Sequence, residues 1–350
     1  MSRPDPSSIL PGLPRGAEIL LIRLRSLGDV VMLTPSMAAL HAWRPDLRLC
    51  VLVAPAFAPV LEGNPAVSEV LPMRGFLSTA RELRRRRFPV TYNQHGGPTS
   101  AFLTLAAGSP VRVCWARLQF QSFYNVCVPD PAALFGRTHI HTVEDRIAHF
   151  YFTGLPRGPI PPAQIFPRLD ALAAVQKILT DSGIAPGRPY VVLRPGAADR
   201  TKQWPLERFL ELAKWLREVC GLAAVMDFGP DENALAASAR QKVDSGVVHL
   251  DSLGVRELIA LIAGARLFVG NDTGPTHIAA GVRCPTVAVF AATDPAIWGP
   301  WQVAHRVVES DALCDTCPPG RCYASERRRC ILSVDTSRVQ QACAALLTRS

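Results

Sequence analysis

The chain has 350 residues, of which 48% are hydrophobic, so it can bury large cores and is not a disordered protein. No apolar run approaches the ~18 residues that span a bilayer, so we expect a protein that is not integral to a membrane. Residues 1–17 contain no apolar segment typical of a secretory signal, so we expect the protein to be cytoplasmic. The 38 basic residues, of which only four are lysines, exceed the 29 acidic ones, and this net charge of +9 favours an anionic partner, while no nucleic-acid-binding motif is found.

Short apolar runs alternate with amphipathic stretches along the chain, a pattern typical of parallel sheets covered by helices. In the first half the predicted strands are 18–24, 47–53, 67–71, 89–93 and 111–115. The predicted helices of that half are 30–43, 57–63, 77–87 and 99–107. From residue 128 to residue 189 the pattern blurs, apart from one helix at 169–182, and we interpret this stretch as the connection between two domains.

The same alternation restarts at residue 190. The predicted strands are 190–194, 223–228, 247–250, 267–270 and 286–291, and the predicted helices are 205–220, 233–242, 255–263, 275–281 and 336–347. The sequence therefore predicts an α/β protein with two doubly wound, Rossmann-like domains, residues 18–165 and 166–350, that face a cleft. Residues 1–17 are predicted to form a disordered tail.

Polar residues follow the first predicted strand in the string Arg25-Ser26-Leu27-Gly28-Asp29. Doubly wound sheets bind ligands at the carboxyl ends of their strands, so Asp29 is a candidate for chemistry at that edge. Gly28 permits a tight turn there. The alternative is structural, because an acid at the start of a helix also serves as a cap.

A second loop, residues 194–205, contains Arg200 and Lys202 beside a glycine-containing turn that leads into a helix. Backbone N–H groups and the helix dipole attract anions at such a position, and the two cations would add charge-assisted hydrogen bonds. This loop is a candidate anion site. The alternative is a solvated basic loop.

A third loop reads NDTGPTH at residues 271–277. Asp272 or Thr273 could cap the helix that follows, and Gly274 would let a ligand approach the backbone. His277 would lie one turn into that helix and face the cleft. The alternative is a cap with a purely structural role.

A fourth loop carries two acids, Asp231 and Glu232, directly after the predicted strand 223–228. A carboxylate at the end of a strand in a nucleotide-binding domain can accept hydrogen bonds from ribose hydroxyl groups. Acids are also common in the first turn of a helix, so this pattern alone does not decide between the two roles.

Together these strings resemble the family 9 glycosyltransferases, the ADP-heptose:lipopolysaccharide heptosyltransferases. The resemblance rests on ILLIRLRSLGDVVMLTPSMAAL at 19–40, VLVAPAFAPVLEGNPAVSEVL at 51–71, RPGAADRTKQWPLERFLELAKWL at 194–216 and LFVGNDTGPTHIAAGVRCPTVAVFAATDPAIWGPW at 267–301. These motifs stand in the family's order and cover nearly the whole chain. The resemblance implies the two-lobed B-type glycosyltransferase fold, in which the amino-terminal lobe takes the acceptor and the carboxy-terminal lobe takes the nucleotide sugar.

The resemblance also implies roles for individual residues. The acid of the S-L-G-D string, here Asp29, is the family's proposed general base, and the lysine before the W-P pair, here Lys202, contacts the donor diphosphate. The D-T-G-x-x-H string holds the diphosphate and sugar, and the ribose-binding acid falls at Asp231 or Glu232. The expected donor-binding residues are Arg200, Lys202, Asp231, Glu232, Asp272, Thr273, Gly274 and His277, and the expected acceptor-binding residues are Ser26, Gly28, His95 and Arg84.

The implied activity is inverting transfer of a heptose or similar sugar from an ADP-sugar donor to an anionic glycolipid acceptor of the lipopolysaccharide-core type, with no cofactor required. This chain departs from the family pattern at Ala197 and Ala198, where many relatives carry Thr or Ser, and at residues 93–100, which lack the acid and the arginine of many relatives. Two alternatives therefore stay open. The enzyme could use another nucleotide sugar or a protein acceptor, or the chain could be a non-catalytic scaffold that binds nucleotide or glycan.

A basic helix, ARELRRRR at residues 80–87, lies in the predicted acceptor domain. It could face a phosphorylated glycolipid or the anionic inner leaflet of the membrane, which predicts peripheral membrane contact. The alternative is a solvated helix face.

Four cysteines cluster near the carboxyl terminus with the spacing C-x2-C-x4-C-x7-C, at Cys314, Cys317, Cys322 and Cys330. In a cytosolic protein such a cluster indicates a metal before a disulfide, and four thiolates suit a structural zinc or iron. A similar module recurs in family members. Free thiols and disulfides are the alternatives.

Overall fold

The computed structural model describes residues 5–242, 246–251, 253–310 and 329–348, without the side chains of residues 329 and 330. The chain divides into two compact units, Met1–Phe166 and Pro167–Ser350, so the division falls after residue 166 rather than after residue 165. Each unit contains one six-stranded sheet, and every strand pairing within the two sheets is parallel. The predicted α/β architecture with two doubly wound sheets is confirmed.

The first unit has its strands in the order β3-β2-β1-β4-β5-β6. They are Glu18–Ile22 (β1), Arg48–Val53 (β2), Glu69–Pro72 (β3), Val90–Asn93 (β4), Val111–Trp115 (β5) and Val126–Val128 (β6). The four residues Ile19, Leu20, Leu21 and Ile22 of β1 are fully buried. Strands of parallel sheets are covered on both faces, which is why β1 reads as a continuous apolar run.

The helices of the first unit are Leu27–Val31 (α1), Thr34–Trp43 (α2), Phe76–Arg86 (α3), Pro98–Ala107 (α4), Pro131–Phe135 (α5) and Thr142–Phe152 (α6), and three 3-10 helices are Pro6–Ser8, Pro55–Leu61 and Gln121–Phe123. The single helix predicted at residues 30–43 is thus two helices. Pro35 has no N–H to extend the hydrogen bonding of α1. Instead, the hydroxyl of Thr34 donates to the carbonyl of Val31 at 2.8 Å.

Two helices of the first unit, α5 and α6, were missed by the sequence analysis. Most of α6 is buried, including the polar residues Glu144, Arg146 and His149. A helix that buries polar side chains as well as apolar ones lacks the amphipathic period on which the prediction of helices depends.

The predicted disorder of residues 1–17 is wrong for residues 5–17, which are part of the first unit. This segment contains the 3-10 helix Pro6–Ser8, and Leu10 is fully buried. The N–H of Leu10 donates to the carbonyl of Thr153 at 2.9 Å, and the guanidinium of Arg44 donates to the carbonyls of Leu10 and Leu13 at 3.1 Å. The buried side chains of Ile9 and Leu10, together with these hydrogen bonds, hold the segment in place. Its high proline content is the reason that disorder was predicted.

The second unit has the strand order β12-β11-β10-β7-β8-β9. Its strands are Tyr190–Arg194 (β7), Ala223–Phe228 (β8), Val247–Asp251 (β9), Leu267–Asn271 (β10), Thr286–Phe290 (β11) and His305–Glu309 (β12). Its helices are Leu169–Asp181 (α7), Leu206–Glu218 (α8), Asn233–Lys242 (α9), Val255–Ala263 (α10), Gly274–Gly281 (α11), Pro295–Trp298 (α12), Arg329–Ser333 (α13) and Thr336–Leu347 (α14), and residues Arg200–Lys202 form a 3-10 turn. Strand β12 was missed because it lies at the sheet edge and mixes polar with apolar residues.

The carboxyl-terminal helix α14 closes the core of the second unit. Val339, Cys343 and Leu346 of this helix belong to the same buried cluster as Trp204 and Phe209. The indole N–H of Trp204 donates to the carbonyl of Val334 at 2.7 Å. Helix α14 is therefore part of this unit's core, and the segment just before it holds the loop that precedes α8.

Across the described ranges, none of the helices has the length and apolar character that crossing a membrane requires.

Candidate active site

Asp29 lies at the carboxyl edge of the first sheet, in the first turn of α1. The Ser26 hydroxyl and backbone N–H both donate to its Oδ2 atom, at 2.9 and 3.3 Å. Ser26 is the residue that precedes the helix, so the acid completes a capping arrangement rather than being the cap itself. Asp29 can therefore have both a structural role as part of the cap and a chemical role, because the cap uses only its Oδ2 atom.

Two buried arginines hold the Asp29 carboxylate. Arg23 Nη2 lies 2.5 Å from Oδ2, and Arg146 Nη2 lies 3.0 Å from Oδ1. Burial by itself would raise the pKa of Asp29, but the charges of Arg23 and Arg146 and the Ser26 hydrogen bond outweigh it, so this pKa lies below its ordinary value. Asp29 is therefore ionised at neutral pH.

The surroundings of Asp29 are cationic and incompletely hydrogen-bonded. Arg23 donates to the carbonyl of Gln94, and the Gln94 amide donates to the carbonyl of Arg146 at 3.0 Å. The Nε atoms of Arg23 and Arg146 and the Oε1 atom of Gln94 are buried and have no hydrogen-bond partner among the residues that the structure describes. Unsatisfied buried groups are rare in folded proteins, and a catalytic role or a bound water or ion is among their explanations.

His95 joins this cluster as a neutral side chain. Burial and the charge of Arg23 lower the pKa of His95 to about 4. Its backbone N–H donates to Asn93 Oδ1 at 3.0 Å, which fixes the loop after β4. Ser26, Gly28, Asp29 and His95 therefore lie at the same edge of the first sheet. Arg84 does not join them, because it lies in the last turn of α3, where its guanidinium packs against Gly108.

Arg23, Gln94 and Arg146 are members of the cluster that sequence reasoning did not single out. Arg23 had a signal, since it is a charged residue directly after the apolar run of β1 and buried charges need partners. Arg146 had none. It is 117 residues from Asp29 in the chain and stands on a helix that was not predicted.

In the second unit, Lys202 and Asp272 form the centre of a second polar cluster. Lys202 Nζ lies 2.6 Å from Asp272 Oδ2, and the hydroxyl of Thr293 donates to the same oxygen. Lys202 ends a 3-10 turn that is capped by Asp199, whose Oδ1 atom accepts from the Thr201 N–H at 2.9 Å. The predicted anion loop and the D-T-G-x-x-H string are therefore brought together by an ion pair.

Asn271, which was not singled out from the sequence, ties these two loops together. Its Oδ1 atom accepts from the N–H of Trp204 at 3.0 Å, and its amide donates to the carbonyl of Pro195 at 2.9 Å. Helix α11 begins next to it, with Thr273 as the preceding extended residue and Gly274 as its first residue. His277 is buried within that helix.

The structure separates the two acids of the fourth loop. Asp231 is exposed, whereas Glu232 accepts from the N–H of Gly229 at 2.7 Å and lies 3.4 Å from Arg194 Nη2. A Cβ atom at Gly196 would lie 2.0 Å from Glu232 Oε1, so the loop after β7 packs directly against this carboxylate. Glu232, and not Asp231, thus adjoins the loop that leads to Lys202. Arg200 remains exposed in that loop.

Arg194 also pairs with Asp227, a buried acid that the sequence analysis did not single out. Burial raises the pKa of Asp227 to about 6, and the nearby guanidinium only partly offsets this effect. The carboxyl edge of the second sheet is therefore lined by one arginine shared between two acids.

The predicted metal site lies outside the described residues. Cys314, Cys317 and Cys322 belong to the range 311–328, and the side chain of Cys330 is not described either. Within the described ranges, no group of three or more His, Cys, Asp or Glu side chains is placed to hold a metal ion. The cysteine cluster stays a prediction.

Comparison with known proteins gives a consistent result. The sequence model of glycosyltransferase family 9 (heptosyltransferase) matches residues 76–324. Lipopolysaccharide heptosyltransferase 1 of Pseudomonas aeruginosa is 28% identical over 347 residues, which cover 93% of this chain and 93% of that protein.

Two solved structures share the fold. A family 9 glycosyltransferase from Veillonella parvula superposes with a TM-score of 0.81 at 19% identity, covering 95% of this chain and 98% of that one. The Escherichia coli ADP-heptose lipopolysaccharide heptosyltransferase II gives a TM-score of 0.79 at 24% identity, covering 95% and 99%.

Proposed function

The chain belongs to glycosyltransferase family 9, and from that premise we propose that it moves a heptose from ADP-heptose to an acceptor of the lipopolysaccharide-core type, with inversion at the anomeric carbon. The names of the similar proteins support this donor and acceptor. The observation that carries the chemical part of the proposal is the ionised Asp29 carboxylate held at the carboxyl edge of the first sheet between two arginines. A cytoplasmic location, with peripheral contact at the membrane, is part of the same proposal.

Asp29 is the proposed general base. An acceptor hydroxyl attacks the anomeric carbon, the bond from that carbon to the diphosphate oxygen breaks, and the hydroxyl proton passes to the Asp29 carboxylate. Arg23 and Arg146 keep Asp29 ionised but also make it a weak base. A weak base suffices if the transition state has oxocarbenium character, because the attacking hydroxyl becomes acidic as its bond to carbon forms.

The arginines around Asp29 are the proposed contacts for an anionic acceptor. Both guanidinium groups contact the Asp29 carboxylate, and guanidinium groups bind carboxylates and phosphates at two points. Ser26, Gly28 and His95 lie at the same edge. Arg23 and Arg146 would thus serve both the acceptor and the base.

Lys202 and helix α11 are the proposed binding site for the donor diphosphate. The first N–H groups of α11 and the ammonium of Lys202 would stabilise the negative charge that develops on the departing ADP, and Asp272 positions that ammonium. Glu232 is the proposed acceptor of ribose hydroxyl bonds, since it is the acid that adjoins Arg194 and Gly196. On this proposal protein cations stabilise the leaving group and no cofactor is needed for transfer.

Calorimetric titration of ADP, UDP, GDP and their sugar derivatives tests the donor half of the proposal. We expect selective binding of ADP and ADP-heptose, and a loss of at least about tenfold in affinity in Lys202→Ala, because a charge-assisted hydrogen bond disappears. Preference for another nucleotide would replace the donor but keep the fold. Binding without turnover on any acceptor would favour a non-catalytic scaffold.

A further inference from the structure

The buried acid Asp227 lies in the second unit and has no role in the proposed reaction. It stands near the end of β8, and Arg194 Nη1 pairs with its Oδ2 atom. Its Oδ1 atom is buried and has no hydrogen-bond partner among the residues that the structure describes. Carboxylates are almost never buried this deeply unless they are paired, so Asp227 depends on Arg194.

Arg194 is shared unequally between Asp227 and Glu232. Its Nη1 atom makes the contact with Asp227, whereas its Nη2 atom lies 3.4 Å from Glu232 Oε2, which is longer than an ordinary hydrogen bond. The same Oε2 atom accepts from the N–H of Gly229 at 2.7 Å. Glu232 is therefore placed by the backbone, and the guanidinium is directed mainly to Asp227.

Two glycines leave the space that this arrangement occupies. A Cβ atom at Gly229 would lie 2.8 Å from Arg194 Nη2, and one at Gly196 would lie 2.0 Å from Glu232 Oε1. Both distances are shorter than a van der Waals contact, so a side chain at either glycine would displace the arginine or the glutamate. The loops after β7 and β8 thus confine Arg194 and Glu232 side by side, and Arg194 can turn toward Glu232 once Asp227 releases it.

Asp227 is the member of this cluster whose charge changes near neutral pH. Burial raises the pKa of Asp227 to about 6, against the effect of the Arg194 charge, and the charge of Glu232 raises it further. In the described part of the chain, Arg194 and Glu232 are the charged groups that face Asp227. Strand β9 places Leu250 in register with it, and His249, the residue before Leu250, points to the other face of the sheet.

We propose that Asp227 is a positioning residue for ribose recognition, because it holds Arg194 and so keeps the Glu232 carboxylate free to accept from the ribose hydroxyl groups of the donor. This inference rests on the proposed role of Glu232. Without the charge of Asp227, Glu232 is the anionic partner left to Arg194 within the described ranges. An ion pair between Arg194 and Glu232 would occupy the oxygens that the ribose needs. Asp227 therefore acts through Arg194 and does not touch the ligand.

Calorimetric titration of ADP and of 2′,3′-dideoxy-ADP, which lacks both ribose hydroxyl groups, tests this inference. The ratio of the two affinities measures ribose recognition, because the base and the diphosphate are the same in both nucleotides. At neutral pH the unmodified protein should bind ADP at least about tenfold more tightly than dideoxy-ADP. In Asp227→Asn this ratio should fall at least about fivefold, while the affinity for dideoxy-ADP stays within about twofold.

The dependence of this ratio on pH requires no substitution. Lowering the pH protonates Asp227 and releases Arg194, so the ratio for the unmodified protein should fall as the pH passes through about 6. The titration of the diphosphate itself cancels in the ratio. Asp227→Asn cannot ionise at this position, so its ratio should be low at neutral pH and should change much less over the same interval.

Arg194→Gln/Asp227→Asn removes the guanidinium as well, and so separates the release of Arg194 from a general disturbance of the site. Glu232 keeps its bond from Gly229 in this variant, so the ratio should return to within about threefold of that of the unmodified protein. Asp170→Asn is the matched control, because Asp170 is an arginine-paired aspartate of α7, outside this cluster. Its ratio should stay within about twofold of the unmodified value.

The possible outcomes separate this inference from the proposed function. A ratio near one in the unmodified protein would remove the ribose role of Glu232, and the inference with it. A ratio that favours ADP and that Asp227→Asn leaves intact would overturn the inference alone. A ratio that does not recover in Arg194→Gln/Asp227→Asn, or that does not change with pH in the unmodified protein, would overturn it as well.

Discussion

At the scale of single residues, the proposed chemistry depends most on the charge of Asp29. Asp29→Asn keeps the shape of the side chain but cannot take a proton. General base catalysis contributes about 10²–10⁴ to a rate, so kcat with an ADP-heptose donor is expected to fall at least about a hundredfold. The affinity for ADP should stay within about twofold, because the donor groups belong to the other unit. Steady-state kinetics and calorimetry measure the two effects.

Ser26→Ala is the control for Asp29. It removes the hydroxyl that donates to Asp29 Oδ2 but leaves both arginines and the negative charge in place. A hydrogen bond to a charged group contributes about 1.5–3 kcal/mol, but both arginines still hold the carboxylate, so kcat should fall clearly less than in Asp29→Asn. Loss of ADP binding in a folded Asp29→Asn protein would argue against the role of a base, as would equal damage from both substitutions.

The two acids after β8 offer a matched pair in the second unit. Glu232 is held by Gly229 and adjoins Arg194, whereas Asp231 is exposed. If Glu232 accepts from the ribose, Glu232→Gln should weaken ADP binding about tenfold or more, since a charged hydrogen bond contributes about 1.5–3 kcal/mol. Asp231→Asn should leave the affinity within about twofold. Calorimetry that showed the opposite order would assign the ribose to Asp231.

A site residue could be predicted from the sequence when its position relative to a strand places it at the site. Asp272 stands directly after an apolar strand, and Asp29 and Lys202 lie in the segments that follow two others, so their position at a sheet edge could be predicted from the chain alone. Choosing Glu232 over Asp231 needed the packing of Gly196 against one carboxylate, which adjacency in sequence does not encode. Arg146 reaches Asp29 through tertiary structure only.

At the scale of elements, helix α6 connects a distant part of the chain to α1 through Arg146. If Asp29 is the base, it acts only when ionised, so activity should be lost as the pH falls through its pKa. Arg146 helps to lower that pKa against the effect of burial. In Arg146→Gln the pKa of Asp29 should rise, and the acid limb of the kcat profile should move to higher pH. A pH profile of kcat measures this shift.

Arg117→Gln provides the comparison for Arg146→Gln. Arg117 pairs with Asp145, a neighbour of Arg146 on α6, at 2.7 Å, but makes no contact with Asp29. The acid limb of the kcat profile of Arg117→Gln should coincide with that of the unmodified enzyme. A displacement of equal size in both variants would mean that the helix moves as a whole, and that the charge of Arg146 is not the cause.

The elements that could be predicted are those whose burial is regular. The inner strands β1 and β7 are apolar apart from one charged residue at an end of each, and α8 and α10 carry one apolar side. Two of the missed elements, α6 and β12, break that regularity. Helix α6 buries charged residues, and β12 is a mixed edge strand. The positions of these two elements depend on contacts with residues that are distant in the sequence, and the local hydrophobic pattern does not reveal such contacts.

At the scale of the whole molecule, each unit has a buried apolar cluster of its own, and the contribution of each cluster to stability can be tested by perturbing it. Leu103 of α4 is buried in the first unit and Leu346 of α14 in the second. Truncating a buried leucine to alanine costs about 2–5 kcal/mol, which should lower the Tm of the affected unit by roughly 5 °C or more. Scanning calorimetry of Leu103→Ala and Leu346→Ala should therefore show two transitions, each shifted by one substitution.

ADP then identifies the nucleotide-binding unit. Ligand at about 100 times its Kd adds about 2.7 kcal/mol to the stability of the state that binds it. We expect ADP to raise the transition that Leu346→Ala lowers, because Lys202, Asp272 and Glu232 all belong to that unit, and to leave the other unchanged. A rise in the transition that Leu103→Ala lowers would place the nucleotide in the first unit. A single transition shifted by both substitutions would show that the units unfold together.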